Sequence, residues 1–282
     1  MTVTFQSPFR RKMIGALKYY HKHRNLLYNF VVRDLRGKYA GSTFGLFWTV
    51  IQPLIMMAVY TIIFSVILDI QMKEGAGPLE SALLIFCGMV PWLAFAEGLQ
   101  RATSSIVDNA NLIKKVAFPT GILPSHIIIS SMINMLAGMA LLIIALLVFR
   151  GAVSPALLFV LVMMLLQFIF AVGLAWFFSA VNVFFRDTVH LMAPLLMIWM
   201  FCTPIFYPME IVTNNASLPP AFKTLYSANP MGLLIRSYQC LFFDGTLPPV
   251  HLPLAFAAAA LIAAVVGYLT FSRSQKKFPD LV

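Results

Sequence analysis

The stretch Ile127–Phe149, IIISSMINMLAGMALLIIALLVF, decides the fold class, because it carries no Asp, Glu, Lys or Arg from end to end. A helix rises about 1.5 Å per residue, so about 20 apolar residues cross a hydrocarbon core of about 30 Å. Within that core every backbone N–H and C=O must be satisfied internally, which a helix achieves. Working outward, Phe44–Leu68, Pro155–Phe185, Val189–Tyr207 and Leu252–Phe271 are equally free of acidic and basic residues, and Ala82 to about Gln100 holds only Glu97 near one end. The expectation is an all-α membrane protein with six transmembrane helices. Pro155–Phe185 exceeds the required length and is expected to tilt or project from the membrane.

Composition agrees. The 282 residues are 60% hydrophobic and 11% charged, against about 25% charged in a soluble domain. The formal charge of +10 sits in short segments between apolar runs rather than along a polar face, so it reads as topology and not as nucleic-acid binding. Cytoplasmic loops retain Lys and Arg. With six spans, only Lys73, Arg150, Lys223 and Arg236 of the 20 Lys and Arg fall on one side, which puts both termini in the cytoplasm. The chain is then one membrane domain over 1–282: a cytoplasmic or interfacial segment at 1–40, the six-span region at 44–271 and a cytoplasmic tail at 272–282. The first forty residues lack an apolar h-region with a small-residue cleavage site, so no removable leader is expected. Cys87, Cys202 and Cys240 lie far apart in apolar surroundings and read as small hydrophobes, with no metal site.

Three shorter elements stand out. Phe9, Met13, Leu17 and Tyr20 recur at helical spacing among Arg10, Arg11, Lys12, Lys18 and Lys22, the pattern of an amphipathic helix lying on an anionic leaflet. Between the second and third spans, about Ser105 to Pro124 reads as a short helix, with Asn109, Asn111, Lys114 and Lys115 flanking Leu112 and Ile113. From Pro208 to His251, the apolar pieces Ala221–Tyr226 and Met231–Phe243 are too short to cross and are punctuated by Pro219, Pro220, Pro230, Pro248 and Pro249. They read as short re-entrant helices between spans five and six. A seventh span there would export the tail with Arg273, Lys276 and Lys277, against the inside-positive rule.

No GxxxxGK[ST] loop is present to cradle ATP, and no HExxH, GxSxG or paired-carboxylate pattern points to catalysis. His21, His23, His126, His190 and His251 are scattered around span ends and tails. Two readings stand for Glu97: an i,i+4 ion pair with Arg101, or a proton relay. Aromatics along the first and fifth spans either stack on sugars or form interfacial belts. The polar breaks Gln52-Pro53, Asn134, Asn182 and Thr203-Pro204 face either a passage or a neighbouring helix.

Several segments together resemble one family. They are Arg33-Asp34-Leu35-Arg36-Gly37-Lys38-Tyr39, Gly45 to Leu54 (GLFWTVIQPL), Asn109 to Pro119 (NANLIKKVAFP), Phe185-Arg186-Asp187-Thr188, Trp199 to Pro208, and Asn229-Pro230-Met231. In this order they are similar to the permease subunits of ABC transporters that export O-antigen, teichoic acid and capsular polysaccharide. The family pattern departs at Glu97, where small or polar residues are common.

The resemblance implies a homodimer of this chain with two copies of a separate ATP-binding subunit, in a bacterial inner membrane, moving a polyprenyl diphosphate-linked polysaccharide. No cofactor is expected on this chain, since ATP and Mg belong to the ATPase and catalysis with them. Asn109, Asn111, Leu112, Ile113, Lys114, Lys115 and Phe118 would form the coupling helix seated in that ATPase. Trp48, Tyr60, Phe64, Trp199, Phe206 and Tyr207 would line the glycan passage. Arg33, Arg36 and Lys38, at headgroup depth, would attract the lipid diphosphate through charge-assisted contacts. The alternatives are a drug or small-lipid exporter permease, a membrane lipid-sugar transferase and a proton-coupled carrier. A transferase would need clustered acidic residues, and Glu74, Glu80, Glu210 and Asp244 form no cluster in sequence.

Overall fold

A computed structural model describes residues 21–38, 45–60, 77–115, 118–151 and 154–282, together with positions 41, 62, 63, 67 and 75. The amphipathic segment Phe9 to Tyr20 and the passage candidate Phe64 lie outside the described residues. Among those described, every regular element is helical.

Among the described residues, four helices are long and apolar enough to cross a membrane: α3 (Pro78–Asp108), α5 (Ile122–Arg150), α6 (Val160–Phe184, extended backward by a 3-10 turn, Pro155–Phe159) and α11 (His251–Ser274). At about 1.5 Å per residue, the 31 residues of α3 run about 46 Å. That exceeds the hydrocarbon thickness of about 30 Å, which a helix accommodates by tilting or by projecting beyond it. Between α3 and α5 sits the single-turn α4 (Ala110–Lys115), and before them come α1 (Arg24–Gly37) and α2 (Trp48–Tyr60).

The bundle is organised around α3, whose middle is buried on all sides against α5, α6 and the short helix α10 (Pro230–Gln239). Polar α1, Arg24–Gly37, has only Phe30 and Val31 fully buried and packs on α5. Helices α6 and α11 meet backbone to backbone: a Cβ placed on Gly267 would lie 1.9 Å from the carbonyl oxygen of Gly173. Small residues allow this approach where dispersion and not the hydrophobic effect holds helices together.

Helix α7 (Thr188–Phe201) has 14 residues, about 21 Å, shorter than the Val189–Tyr207 span expected from hydropathy. Proline explains the early stop. Pro204 has no N–H for the carbonyl of Met200, which is taken instead by the N–H of Thr203 at 3.1 Å, and the chain turns through Ile205 N–H to Thr203 O at 2.8 Å.

Between α7 and α11 the chain forms α8 (Met209–Thr213), α9 (Pro220–Ser227) and α10, the last prolonged by one wide turn over Cys240–Asp244. The two apolar pieces read from the sequence are α9 and α10. Helix α10 is not peripheral: Met231, Leu234, Ile235 and Tyr238 are fully buried against α3, α6 and α11. Tyr238 donates its hydroxyl to Oε1 of Gln167, 2.9 Å away, and the Gln167 amide donates to the carbonyl of Pro91 at 2.9 Å, pinning α10 to α6 and α3.

Candidate functional site

The basic end of the bundle is closed by a second apolar cluster: Phe30, Ile106, Ile113, Leu123, Ala180, Val183, Phe271 and Phe278. It gathers α1, the ends of α3, α6 and α11, α4, the start of α5 and the residues after α11. Phe30 anchors α1 there, its ring edge-on to His126 at 5.1 Å and tilted against Phe118 at 5.8 Å.

Seating Phe30 aims the next turn of α1 at α3. Asp34 and Lys38 are four residues apart on α1, Glu97 and Arg101 four apart on α3, so each helix presents one acid and one base on one face. Lys38 Nζ donates to both Glu97 oxygens at 2.7 and 2.8 Å, Arg101 reaches Glu97 at 3.4 Å, and Arg101 also pairs with Asp34. The Glu97–Arg101 pair expected from spacing is present, and the shorter partner of Glu97 is Lys38. Both cations bond the Glu97 carboxylate directly, the arrangement that the pairing reading expects.

The same residues line an open cleft of about 330 Å³, between Phe30, Arg33, Asp34, Gly37, Lys38, Arg101 and His126. Of the three cations proposed from the sequence to meet a diphosphate, Lys38 is in the ion-pair chain. Arg33 lies over the Phe30 ring, 4.4 Å from its centroid, and Arg36 is exposed.

The candidate coupling residues divide by face. Asn109 ends α3: its side-chain amide donates to Ser105 O at 2.9 Å, and its carbonyl accepts the Leu112 N–H at 3.0 Å to start α4. Within α4, Asn111, Leu112 and Lys114 point outward, Lys115 ends the helix, and Ile113 is only 5% exposed inside the cluster. Phe118 is half-buried on Phe30. Sequence spacing grouped Leu112 with Ile113, and the fold corrects this: a single turn resting on an apolar cluster can expose only one of two consecutive apolar residues.

The aromatic candidates whose side chains are described differ in exposure. Trp48, at the start of α2, is 37% exposed, and Tyr60 ends α2. Trp199 packs edge-on to Phe95 at 5.3 Å and Trp92 at 6.1 Å. Tyr207 is half-buried, its hydroxyl donating to Phe201 O. Phe206 is a correction to the sequence reading: at 0% exposure, tilted against Phe201, its ring offers no face to a passing sugar. Of the polar breaks, Asn182 accepts the Val189 N–H at 3.2 Å and Thr203 donates to Trp199 O at 2.7 Å. Gln52 is exposed, and the buried Asn134 amide nitrogen has no hydrogen-bond partner.

Sequence reasoning missed Asp34 as a partner of Arg101, Lys38 as a partner of Glu97, and Asn229 as the acceptor of the Trp199 indole N–H at 2.9 Å. The matched acid–base spacing at 34/38 and 97/101 was the available signal for the first two.

Residues 25–243 match the pattern of the ABC-2 type transporter family. The chain is 27% identical over 270 residues to the O-antigen export system permease protein RfbA of Myxococcus xanthus, covering 96% of this chain and 100% of that protein. A protein of the same description from Klebsiella pneumoniae is 28% identical over 261 residues, covering 92% of this chain and 95% of the relative. A second from Klebsiella pneumoniae is 26% identical over 259 residues, with the same coverage. Because the family pattern runs through well over half of the chain, from α1 into the turn that ends α10, this multi-pass membrane protein belongs to the ABC-2 type transporter family.

Proposed function

We propose that the chain is the transmembrane subunit of an ATP-driven exporter that moves lipid-linked polysaccharide across the cytoplasmic membrane. The observation that carries this is the similarity to O-antigen export permeases over 96% and 92% of the chain. Membership of the family implies an ABC ATPase partner. The absence of a phosphate loop from the sequence supports placing hydrolysis, with its ATP and Mg, on that separate subunit.

In this reading there are six spans, with α2 and α7 completing the four long helices and both termini on the cytoplasmic side of a bacterial inner membrane. The basic cluster end is then cytoplasmic, and α9 and α10 re-enter from the outer side. Helix α7 leaves Leu191, Leu195, Met197 and Ile198 exposed, and α2 leaves Leu54, Ile55 and Val59 exposed. Those faces suit a second copy of the chain, with the glycan passing between the paired α2 and α7 helices along Trp48. Two ATPase subunits would drive the two α4 elements, so that nucleotide-driven closure opens the passage. The exposed guanidiniums of Arg33 and Arg36 beside the cleft would hold the lipid diphosphate, and Lys38 would join them by exchanging Glu97 for phosphate oxygens.

The test is co-expression with the cognate ATPase and with a variant of it that binds but cannot hydrolyse ATP. Lipid-linked glycan is expected to accumulate inside cells with the dead ATPase and to disappear from the surface. Unchanged surface glycan refutes the reading.

A further inference from the structure

The coupling role of α4 leaves the segment after α11 without a task, yet that segment is built into the fold. It continues from α11 through a 3-10 turn, Gln275–Lys277, into the single-turn helix α12, Phe278–Leu281. Phe278 is 0% exposed, its ring 5.3 Å from Phe271 and edge-on to it. It shares one apolar cluster with Ile113 of α4, and Val282 packs on the rim of that cluster. Helices α12 and α4 are direct neighbours. Arg186, in the loop between α6 and α7, donates to the carbonyl of Leu281 at 3.4 Å and holds the turn in place.

Two consecutive features of this arrangement matter. The inward residues, Ile113 and Phe278, fuse α4 and α12 into one body, so a force on either reaches both. The outward residues are Leu112 (38% exposed) and Lys114 on α4, Leu281 (41% exposed) and Asp280 on α12, with Lys276 and Lys277 exposed in the turn that leads into α12. An apolar side chain with a basic rim, carried on two helices sharing one anchor, fits a protein groove with an acidic edge.

We propose that α12 is a second docking element for the ATPase subunit, Leu281 entering the same partner surface as Leu112 while Lys276 and Lys277 meet its acidic edge. The proposal rests on the coupling reading of α4. It assigns the tail a contact with the ATPase, and Phe278 the part of a positioning residue that sets α4 relative to it.

The experiment uses the full permease co-expressed with its ATPase in membranes. Leu281→Asp changes an exposed side chain and so leaves the bundle intact. It is expected to lower ATPase retention on the purified permease at least tenfold, with membrane levels of permease unchanged. Leu112→Asp is the companion variant. Normal retention with Leu281→Asp but loss with Leu112→Asp overturns the tail contact and leaves the coupling reading standing. Normal retention with both overturns the two together. A photocrosslinker on Leu281→Cys is expected to capture the ATPase polypeptide, and capture of phospholipid alone would assign the tail to the membrane surface and overturn the proposal.

Discussion

The indole N–H of Trp199 donates to Oδ1 of Asn229 across 2.9 Å, joining the end of α7 to the start of α10. Asn229 has no hydrogen-bonding capacity left over. Its oxygen also accepts the Met231 N–H at 3.1 Å, capping α10, and its amide donates to Cys202 O at 2.9 Å and Thr203 Oγ1 at 3.0 Å. One side chain therefore ties a helix stopped by proline to the helix that plugs the bundle. The segments Trp199–Pro208 and Asn229-Pro230-Met231, far apart in sequence, are two halves of this one junction.

Asn229→Asp is expected to destabilise the protein about as much as Asn229→Ala, although Asp is nearly isosteric. Asp keeps both acceptor bonds but turns oxygen toward the Cys202 carbonyl. Thr203 cannot compensate, since its hydroxyl already donates to Trp199 O. Losing two donated bonds, one exposed at Cys202 O and one part-buried at Thr203 Oγ1, costs about 1 to 2 kcal/mol. Thermal unfolding in detergent checks this, and an Asp variant as stable as wild type would show that the junction is not held by these bonds.

For Glu97, the ion-pair chain predicts that ATP-driven export survives Glu97→Gln. The side chains of Lys38, Glu97 and Arg101 are 23 to 36% exposed, so each pair contributes up to about 1 kcal/mol. A double-mutant cycle of Lys38→Met with Glu97→Gln is expected to give a coupling of about 0.5 to 1 kcal/mol, falling as salt rises. Abolished transport in a folded Glu97→Gln protein would restore the proton-relay reading.

How far the sequence revealed this differs by element. The long helices were legible because lipid forbids charge, and a charge-free run such as Ile127–Phe149 has no other economical reading. The end of α7 at Phe201 was only half legible: Pro204 was visible, but hydropathy carried the run on to Tyr207. Contacts across 59 and 67 residues, from Lys38 to Glu97 and from Asp34 to Arg101, had only the matched acid–base spacing on each helix as a signal, and spacing does not say which helices meet. Nor can sequence tell a core ring from a passage ring. Phe206 and Trp48 look alike until neighbours are known, and Phe206 proves to be packed from all sides.

Gly267→Ala is expected to destabilise the protein more than Gly138→Ala does. At Gly267 the added methyl meets a backbone oxygen at 1.9 Å, which no rotamer change relieves. At Gly138 it meets the methyls of Val90 at 2.9 and 3.1 Å, a tight contact with a side chain and not with backbone. Overpacking costs about 1 to 3 kcal/mol or more where the backbone must move. Comparing the two variants' half-lives in detergent checks the contrast, and equal half-lives would contradict the close approach.

Leu112→Asp and Ile113→Asp, one residue apart, are expected to fail in different ways. Ile113 is 5% exposed in an apolar cluster with Phe30, Ile106, Leu123 and Phe278, so a carboxylate there is buried among side chains that offer it no cation. Desolvation on that scale costs several kcal/mol, and the permease itself should unfold or be degraded. Leu112 faces outward, so its carboxylate stays hydrated and the permease should accumulate normally while retaining little ATPase. Membrane level and ATPase co-purification, measured on both variants, separate the outcomes. A stable, membrane-resident Ile113→Asp protein would mean that α4 does not rest on this cluster, and the division of the segment into an anchored face and a docking face would fall with it.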